Sequence, residues 1–436
     1  MFDLRRRVRR RFGSGHDLHP VWAMDESMAD GEKPIMPPVS DPIAIIGAGP
    51  AGLMAATRLA QAGYAVTLYE RMPTPARKLL MAGRGGLNLT HSEPLERFET
   101  RYRPPAAPLL AAIRSFPPEA LRTFAADLGQ PTFIGTSGRV FPESFKASSL
   151  LRAWLARLAA MGVRLSSRHH WQGWSPDGAL SFTTPEGVRE VFAPATILAL
   201  GGASWPRLGA DGGWTGLLRE RGIDVTPFVP ANMGLCIAWS RAVGDLAGTP
   251  LKRIAVSCDG VTVRGEAMLT PQGLEGGAIY AVSARVREHL AAGARALIHL
   301  DLRPDLSLEV LRLRLAAVPE RQSLSSRLRK GAGLSPAAAR VLRDAGPAPG
   351  DAASLAARIK AVPLVVTGTF GLERAISSAG GVRWASLDAQ FALRGLPGVF
   401  ACGEMVDWEA PTGGYLLQAC FSTGRAAAEG VMAWLG

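Results

Sequence analysis

The sequence is poor in cysteine and in long apolar runs. Its four cysteines, Cys236, Cys258, Cys402 and Cys420, occur singly among 436 residues, so neither a disulfide framework nor a zinc knuckle is predicted. No stretch reaches the roughly 18 uncharged apolar residues that a membrane span needs, and the longest uncharged candidate, 410–424, is rich in Gly and Thr. These absences favour a globular protein of the reducing cytoplasm without a membrane partner.

Lysine is also scarce, although the chain is strongly basic. The formal net charge is +12, yet only six of the 49 basic residues are lysine, which is typical of a coding bias toward Arg rather than of a phosphate-binding patch. Residues 1–40 hold seven Lys/Arg and six Asp/Glu without helical or strand periodicity, which predicts a disordered or mis-annotated N-terminal extension. Nucleic acid is therefore not the expected partner.

The recognisable pattern begins with one strand, a glycine loop, a helix and a second strand. Residues 42–46 form a short apolar run, 47–52 read Gly-Ala-Gly-Pro-Ala-Gly, and 53–62 are small and apolar. A second apolar run, 65–69, ends in Glu70. This order predicts a βαβ unit with a Gly-x-Gly-x-x-Gly fingerprint.

The fingerprint gains weight from its context, because glycine is common in this chain and chance matches are expected. Gly47 permits a tight turn, Gly49 lets the backbone approach a pyrophosphate, and Gly52 lets the helix pack on the strand. Pro50 suits the first helical turn, and Glu70 follows 18 residues after Gly52, where a carboxylate can accept hydrogen bonds from ribose hydroxyls. The alternative is a plain turn with an exposed acid. We expect an FAD or NAD site rather than an NADP site.

The pattern changes twice along the rest of the chain. Strands and helices alternate to about residue 226, short strand-like pieces follow, and an Arg/Ala/Leu-rich helical region covers about 283–360. The α/β style returns with an apolar strand before Cys402 and a helix after Gly413. We predict an α/β fold in which 41–226 and 366–436 form one discontinuous Rossmann-like domain, interrupted by a substrate-side domain at 227–365.

Three later segments favour FAD over NAD. A basic, Gly-rich loop at 77–90 carries Lys78 and Asn88, and a strand at 195–203 ends in small residues around Gly201. The third segment, 403–416, places Asp407 and a helix start after another apolar strand and is similar to the C-terminal flavin motif of flavoproteins. There the Asp holds the ribityl chain and the helix N-terminus faces the flavin pyrimidine. A classical NAD dehydrogenase has no such late return to the nucleotide.

Five segments of the chain resemble those of a known family. The segments KLLMAGRGGLNLTHSE, GRVFPESFKAS, LGGASWPRLGADG, SSAGGV and ACGEMVDWEAPTGGYLLQACFSTG are similar to those of the BaiN-type, aminoacetone-oxidase-like bacterial FAD-dependent oxidoreductases. They span nearly all of 42–436 and indicate a branch that carries NLTHSE. Where other members have an Arg-Cys pair before the loop Asn, this chain has Gly86-Leu87. The resemblance implies a Rossmann-like FAD domain, an inserted β-barrel at about 227–282 and a helical subdomain at about 283–360.

The resemblance and the fingerprint together predict the cofactor contacts. They are Gly47, Ala48, Gly49, Pro50, Ala51, Gly52, Glu70, Arg71, Lys78, Gly86, Asn88, Thr90, Gly201, Gly403, Asp407, Gly414, Tyr415 and Leu416.

The sequence predicts flavin chemistry without a separate catalytic group. It contains no paired carboxylates, no nucleophile elbow and no metal-ligand spacing, and the adjacent His169 and His170 have poor geometry for chelating one ion. His91 could donate a proton, and Arg139 could hold an anionic substrate. We expect FAD to exchange a hydride with a small organic substrate, with NAD(P)H or oxygen as the other redox partner. The alternatives are a flavin-dependent RNA-modifying protein and an FAD-binding redox sensor without turnover.

Overall fold

The computed structural model describes residues 41–319 and 321–436, and the interpretation of 1–40 lies outside them. In the first part of the chain the helices and strands are β1 (Ile43–Ile46), α1 (Pro50–Gln61), β2 (Val66–Glu70), α2 (Arg77–Ala82), β3 (Thr90–His91), α3 (Leu95–Glu99), α4 (Ala107–Ser115), α5 (Pro118–Asp127), β4 (Thr132–Ile134), β5 (Arg139–Pro142), α6 (Ala147–Ala160), β6 (Arg164–Ser167), β7 (His170–Trp174), β8 (Leu180–Thr184), β9 (Gly187–Val191), β10 (Thr196–Leu198) and α7 (Trp214–Glu220).

In the second part they are β11 (Val225–Ala231), β12 (Leu235–Cys236), α8 (Arg241–Gly244), β13 (Pro250–Cys258), β14 (Val261–Thr270), β15 (Gly273–Glu275), α9 (Gly277–Ala291), β16 (Ala296–Asp301), α10 (Leu308–Ala316), α11 (Leu324–Lys330), α12 (Pro336–Asp344), α13 (Ala352–Lys360), β17 (Val362–Val366), β18 (Gly368–Thr369), β19 (Ser377–Val382), β20 (Val399–Ala401) and α14 (Tyr415–Leu435). No helix among the described residues is both long and apolar enough to cross a membrane.

A five-stranded parallel sheet forms the first half of the molecule. Its strand order is β20-β10-β1-β2-β6, so the central strands come from the start of the chain and the edge strand β20 from near its end. Side chains of β1 alternate between two cores: Ile43 and Ile45 face one, while Ala44 and Ile46 face the other. Burial on both faces explains the uninterrupted apolar run that predicted this strand.

Glycines allow the first and last helices to pack closely on this sheet. A Cβ on Gly52 of α1 would lie 2.0 Å from the Gly47 carbonyl oxygen, and a Cβ on Gly424 of α14 would lie 2.2 Å from the Ala51 carbonyl oxygen. Neither site can hold a side chain without backbone movement. The helix that follows the glycine loop is therefore pressed against the last helix of the chain.

A seven-stranded antiparallel sheet forms the second half, in the order β17-β16-β13-β14-β15-β12-β18. Its two edge strands, β17 and β18, are consecutive in the chain and separated only by Thr367. Because adjacent residues are about 3.8 Å apart, the sheet must curl until its edges almost meet, as in a small barrel. Helix α9 packs on this sheet. Helices α10 to α13 follow β16 and precede β17 in the chain, and all five helices and the sheet share one separate core.

The predicted fold class is confirmed as α/β with a parallel Rossmann-like sheet and additional antiparallel sheets. Two local predictions differ from the structure. The helical region about 283–360 contains the strand β16, whose buried Ala296, Ile298 and Leu300 alternate with more exposed residues. The sequence pattern also did not predict the antiparallel sheet β7-β8-β9. The exact limits of the inserted domain stay a prediction.

Candidate cofactor and active site

A cavity of about 810 Å³ opens at the carboxyl ends of the parallel strands. Ile46 ends β1, Glu70 ends β2, Ala199 follows β10 and Gly403 follows β20, and all four line the cavity. Ligands of open parallel sheets bind outside this edge, at the point where the strand order reverses. The site is therefore where a Rossmann-like sheet is expected to hold a nucleotide.

The glycine loop forms one wall of the cavity. Gly47 has a φ of +105°, and a Cβ there would lie 2.3 Å from the Ala199 carbonyl oxygen. Gly49, in contrast, has no protein atom within 4 Å of its Cβ position, so its backbone faces open space. Helix α1 begins at Pro50 with no acidic residue in its first turn. Its free N–H groups and positive dipole end can therefore receive a pyrophosphate.

Glu70 lies beside the glycine loop, held by two backbone donors. Its Oε2 accepts a hydrogen bond from the Ala48 N–H at 3.1 Å, and its Oε1 accepts one from the Met72 N–H at 2.8 Å. Burial raises the pKa of the carboxyl above its ordinary value, although both backbone hydrogen bonds lower it. Each oxygen keeps a second lone pair for a ligand hydroxyl.

Lys78 and Glu404 form an ion pair inside the cavity. The Lys78 Nζ donates to Glu404 Oε2 at 2.7 Å and to the Ser204 hydroxyl at 2.8 Å. The other Glu404 oxygen accepts from the Ser378 N–H at 3.0 Å. Four segments distant in the sequence thus meet at one charged point of the lining.

The N-terminus of α14 forms another part of the wall. Gly413 and Gly414 have φ values of +129° and +98°, and a Cβ on Gly414 would lie 2.5 Å from the Thr90 backbone. The Thr90 hydroxyl donates to Gln418 Oε1 at 2.7 Å. Thr90 therefore sits behind the helix start and fixes its direction, while Gly413, Gly414 and Leu416 face the cavity.

Three buried polar atoms at the cavity have no partner within the described part of the chain. They are Asn88 Oδ1, His169 Nε2 and Trp171 Nε1, and each residue lines the cavity. Buried polar groups without hydrogen bonds are costly, so a polar ligand would satisfy them. Together with the glycine loop and Glu70, they fit an adenine dinucleotide such as FAD.

The cavity brings together twelve of the predicted cofactor residues. The twelve that line it are Gly47, Gly49, Pro50, Ala51, Glu70, Arg71, Lys78, Asn88, Gly201, Gly403, Gly414 and Leu416. Six others do not: Ala48, Gly52, Gly86, Thr90, Asp407 and Tyr415.

Those six residues lie behind the lining for identifiable reasons. Ala48 and Gly52 are packed beneath the loop, and Gly86 packs on Phe145, with 3.0 Å from its Cβ position to the ring. The Tyr415 hydroxyl donates to Glu93 at 2.6 Å. The Asp407 carboxylate accepts from the Thr226 hydroxyl at 2.7 Å, which ties the loop after β20 to β11. In this loop the carboxylate that reaches the cavity is that of Glu404.

Other lining residues were not predicted from the sequence. They come from β7 and the residue before it (169–172), from the loop 205–213, and from α9, which contributes Gly277 and Tyr280. In that loop Asp211 forms a 2.9 Å ion pair with Arg71. Glu404 could have been predicted from the sequence, because it belongs to the same motif as Asp407. The lining residues of β7 and α9 could not, because their positions depend on contacts between distant segments.

Two polar residues considered for catalysis have different surroundings. Both ring nitrogens of His91 have hydrogen-bond partners: Nδ1 accepts from the Glu93 N–H at 3.1 Å, and Nε2 lies 3.0 Å from the Ser137 carbonyl. His91 does not line the cavity. Arg139 does line it and is exposed, and its side chain has no ion-pair or hydrogen-bond partner among the described residues. Its Nε lies 4.0 Å from the Cβ position of Gly413. The guanidinium is therefore free to bind a ligand.

Known proteins similar to this chain include two enzymes. The chain is 27% identical over 416 residues to the 3-dehydro-bile acid delta(4,6)-reductase of Clostridium scindens, covering 89% of this chain and 99% of that protein. It is 26% identical over 411 residues to the ribosomal RNA dihydrouridine synthase of Escherichia coli, covering 89% and 97%. A solved 3-ketosteroid-delta4-(5alpha)-dehydrogenase from Rhodococcus jostii gives a TM-score of 0.49 at 15% identity, with 90% and 96% covered.

A family profile gives the assignment. The profile of the HI0933-like protein Rossmann domain matches residues 41–430, nearly the whole described chain. The expected resemblance to BaiN-type flavoproteins and the expected cofactor, FAD, are confirmed by this match together with the bile acid reductase. The chain belongs to the HI0933-like family and is an FAD-dependent oxidoreductase.

Proposed function

We propose that this enzyme reduces a carbon–carbon double bond conjugated to a carbonyl group. The observation that supports the proposal is the pair of relatives, each aligned with 89% of this chain. A delta(4,6)-reductase of a 3-oxo bile acid and a dihydrouridine synthase both add two hydrogen atoms to such a bond. Their shared reaction is narrower than flavin oxidoreduction in general, and their substrates otherwise have little in common.

The chain's own residues would divide the work between cofactor and substrate. The glycine loop at Gly47 and Gly49, Glu70 and Asn88 would hold FAD, which when reduced supplies a hydride to carbon. Arg139 would bind an anionic group of the substrate, because an unpaired guanidinium is a strong donor to carboxylate and phosphate oxygens. Tyr280 on α9 would enclose the substrate from the second half of the molecule, which carries the antiparallel sheet and α9 to α13 and is called the inserted half below. NADPH or NADH would supply the two electrons that reduce the flavin.

Anaerobic spectroscopy of the purified protein tests this proposal. The oxidised protein should be yellow, and NADPH or NADH should bleach its flavin band. Addition of cyclohex-2-enone should then restore the flavin band and yield the saturated ketone. Cyclohexanone, which lacks the double bond, should not restore the band. Reoxidation of the flavin by air but by no conjugated carbonyl compound would contradict the proposal and would indicate that the protein is an oxidase.

Arg139→Lys and Arg139→Gln separate the substrate role of this residue from a structural one. If Arg139 binds an anionic substrate, Arg139→Gln should raise KM for a carboxylated enone by roughly tenfold or more, since charge-assisted hydrogen bonds contribute about 1.5 to 3 kcal/mol. KM for neutral cyclohex-2-enone should change little, and Arg139→Lys should retain part of the preference. Equal changes for both substrates would contradict the assignment.

A second candidate is reduction of a uracil base within RNA. The uracil ring contains the same conjugated double bond, and the Escherichia coli relative carries this activity in its name. Incubation of the reduced enzyme with uridine, and with ribosomal RNA from cells that lack the enzyme, would separate the candidates. Loss of uridine from RNA digests, with free cyclohex-2-enone left unreduced, would favour RNA.

A further inference from the structure

Positive charge is concentrated in the helical part of the inserted half. Residues 303–360, which carry α10 to α13, contain eleven Lys/Arg and five Asp/Glu, so this segment supplies a net +6 of the chain's +12. A coding bias toward Arg raises the basic content everywhere and does not explain this local excess. The segment therefore has a charge that the rest of the chain does not share.

Three of these cations are carried by two helix ends that meet. Arg314 is near the end of α10, and Arg329 and Lys330 end α11; all three are exposed and have no ion pair within the described part of the chain. A Cβ on Gly331 would lie 3.1 Å from the Arg314 carbonyl oxygen and 3.0 Å from Leu315, so the two helix ends touch. We call Arg314, Arg329 and Lys330 the basic cluster.

The ordinary explanation for such residues covers only part of the cluster. Cations in the last turn of a helix compensate the negative end of its dipole, but that end carries only about half an elementary charge. The acids that the structure describes in this segment are engaged elsewhere: Glu309 pairs with Arg312, Asp305 with Arg264, Asp344 accepts from the Ser240 N–H, and Asp351 caps α13. Within the described residues, the cluster thus keeps an uncompensated positive charge.

The surface around the cluster is partly apolar. Leu308, Val310 and Leu313 on α10 are 50%, 40% and 54% exposed. The same core that anchors α10 and α11 through Leu311, Leu315 and Leu328 also holds α9, which lines the cavity. A polyanion bound at the cluster would therefore be held by the structural half that encloses the substrate.

We infer that the basic cluster binds the phosphate backbone of RNA and so brings an RNA substrate to the enzyme. This inference rests on the second candidate of the proposed function. Exposed Arg and Lys without acidic partners match a phosphate chain, and Leu308 and Leu313 can contact unstacked bases or sugar. The cluster supplies affinity, while selection of the base takes place in the cavity.

Binding of the full-length FAD-loaded protein to protein-free bacterial ribosomal RNA tests the inference. Filter binding across a salt series should show strong salt dependence. The variant Arg314→Ala/Arg329→Ala/Lys330→Ala should bind at least about tenfold more weakly at low salt, and its slope of log K against log salt should fall by about 2 to 3, one phosphate contact per cation. The matched control removes three exposed arginines from the other half: Arg152→Ala/Arg164→Ala/Arg189→Ala.

Each outcome bears on the inference. Failure of the wild type to bind RNA, equal weakening by both triple variants, or preference for vesicles containing phosphatidylserine over RNA would overturn it. FAD content and the bleaching of the flavin band by NADPH or NADH should be equal in all three proteins. If none of them reduces any conjugated substrate, the proposed function fails while the RNA-binding result stands on its own.

Discussion

At the scale of single residues, Glu70 combines a raised pKa with a predicted contact to the cofactor. Its carboxylate must be ionised to accept hydrogen bonds from ribose hydroxyls, and burial makes that ionisation harder. The binding-competent form is therefore lost as the pH falls through a pKa above 4.5. An exposed glutamate would lose it only at lower pH.

Glu70→Ala should weaken FAD binding by about 1.5 to 3 kcal/mol, because it removes a charged acceptor. Titration of the apoprotein with FAD, followed by flavin fluorescence, measures this directly. The wild-type affinity should decline between neutral pH and the raised pKa, and the decline should be absent in the variant. Glu186→Ala, at an exposed turn, is the control; an unchanged affinity in Glu70→Ala would mean that the ribose lies elsewhere.

The Lys78–Glu404 pair allows a test of the cavity lining. The two side chains are only 26% and 13% exposed, so Lys78→Met leaves a poorly solvated carboxylate and should cost about 1 to 3 kcal/mol of unfolding free energy. Adding Glu404→Gln should recover part of this loss. Urea unfolding of the apoproteins gives both values. Arg312→Met, which breaks the exposed pair with Glu309, should leave the unfolding free energy nearly unchanged, because water screens an exposed ion pair. A loss similar to that of Lys78→Met would contradict the interpretation.

Residue patterns predicted the part of the site that is local in sequence. The glycine loop and Glu70 lie within one βαβ unit, so their spacing alone places them together. Lys78 was predicted, but its ion pair with Glu404 spans more than 300 residues and depends on the complete fold. Asp407 illustrates the limit: the motif favoured this acid, while backbone direction after β20 turns it toward Thr226 and leaves Glu404 at the cavity.

At the scale of elements, the contact between α1 and α14 depends on a missing side chain. Gly424→Ala would place a methyl group against the Ala51 backbone and should destabilise the protein by about 1 to 3 kcal/mol or more. It should also weaken FAD retention, because α1 carries the glycine loop. Gly216→Ala in α7 is the matched control: nothing lies within 4 Å of its Cβ position, and the protein should gain about 0.5 to 1 kcal/mol. Equal effects in thermal unfolding would contradict this account.

Element prediction succeeded where periodicity and length agreed. Strands β1 and β2 and the start of α14 lie within a residue of their predicted positions. The strand β16 was hidden in a region rich in helix-forming Ala, Arg and Leu, and only its short alternation marks it. Its pairing with β13 and β17 supplies the stabilisation that local propensity does not.

At the scale of the whole molecule, a largely buried ion pair joins the two halves. Arg287 of α9 donates two hydrogen bonds to Glu409, at 3.0 and 2.6 Å, and a third to the Pro230 carbonyl. Both side chains are largely buried. The pair ties the inserted half to the loop between β20 and α14, next to the cavity.

Arg287→Met should cost about 3 kcal/mol, because it leaves Glu409 buried without its partner. Since the inserted half has its own core, calorimetry should then resolve two unfolding transitions where the wild type shows one. Arg103→Met, which breaks the exposed pair with Glu288, is the control and should leave a single transition. A single transition in both variants would mean that the halves are coupled mainly by other contacts.

The close packing of α14 on α1 has a consequence for protein synthesis. The glycine loop is made early, but β20, Glu404 and the N-terminus of α14 follow more than 350 residues later. A ribosome-bound chain therefore carries an incomplete cofactor site until the inserted half has been made. FAD capture becomes a late event in biogenesis, and flavin content reports how many chains were finished and correctly assembled.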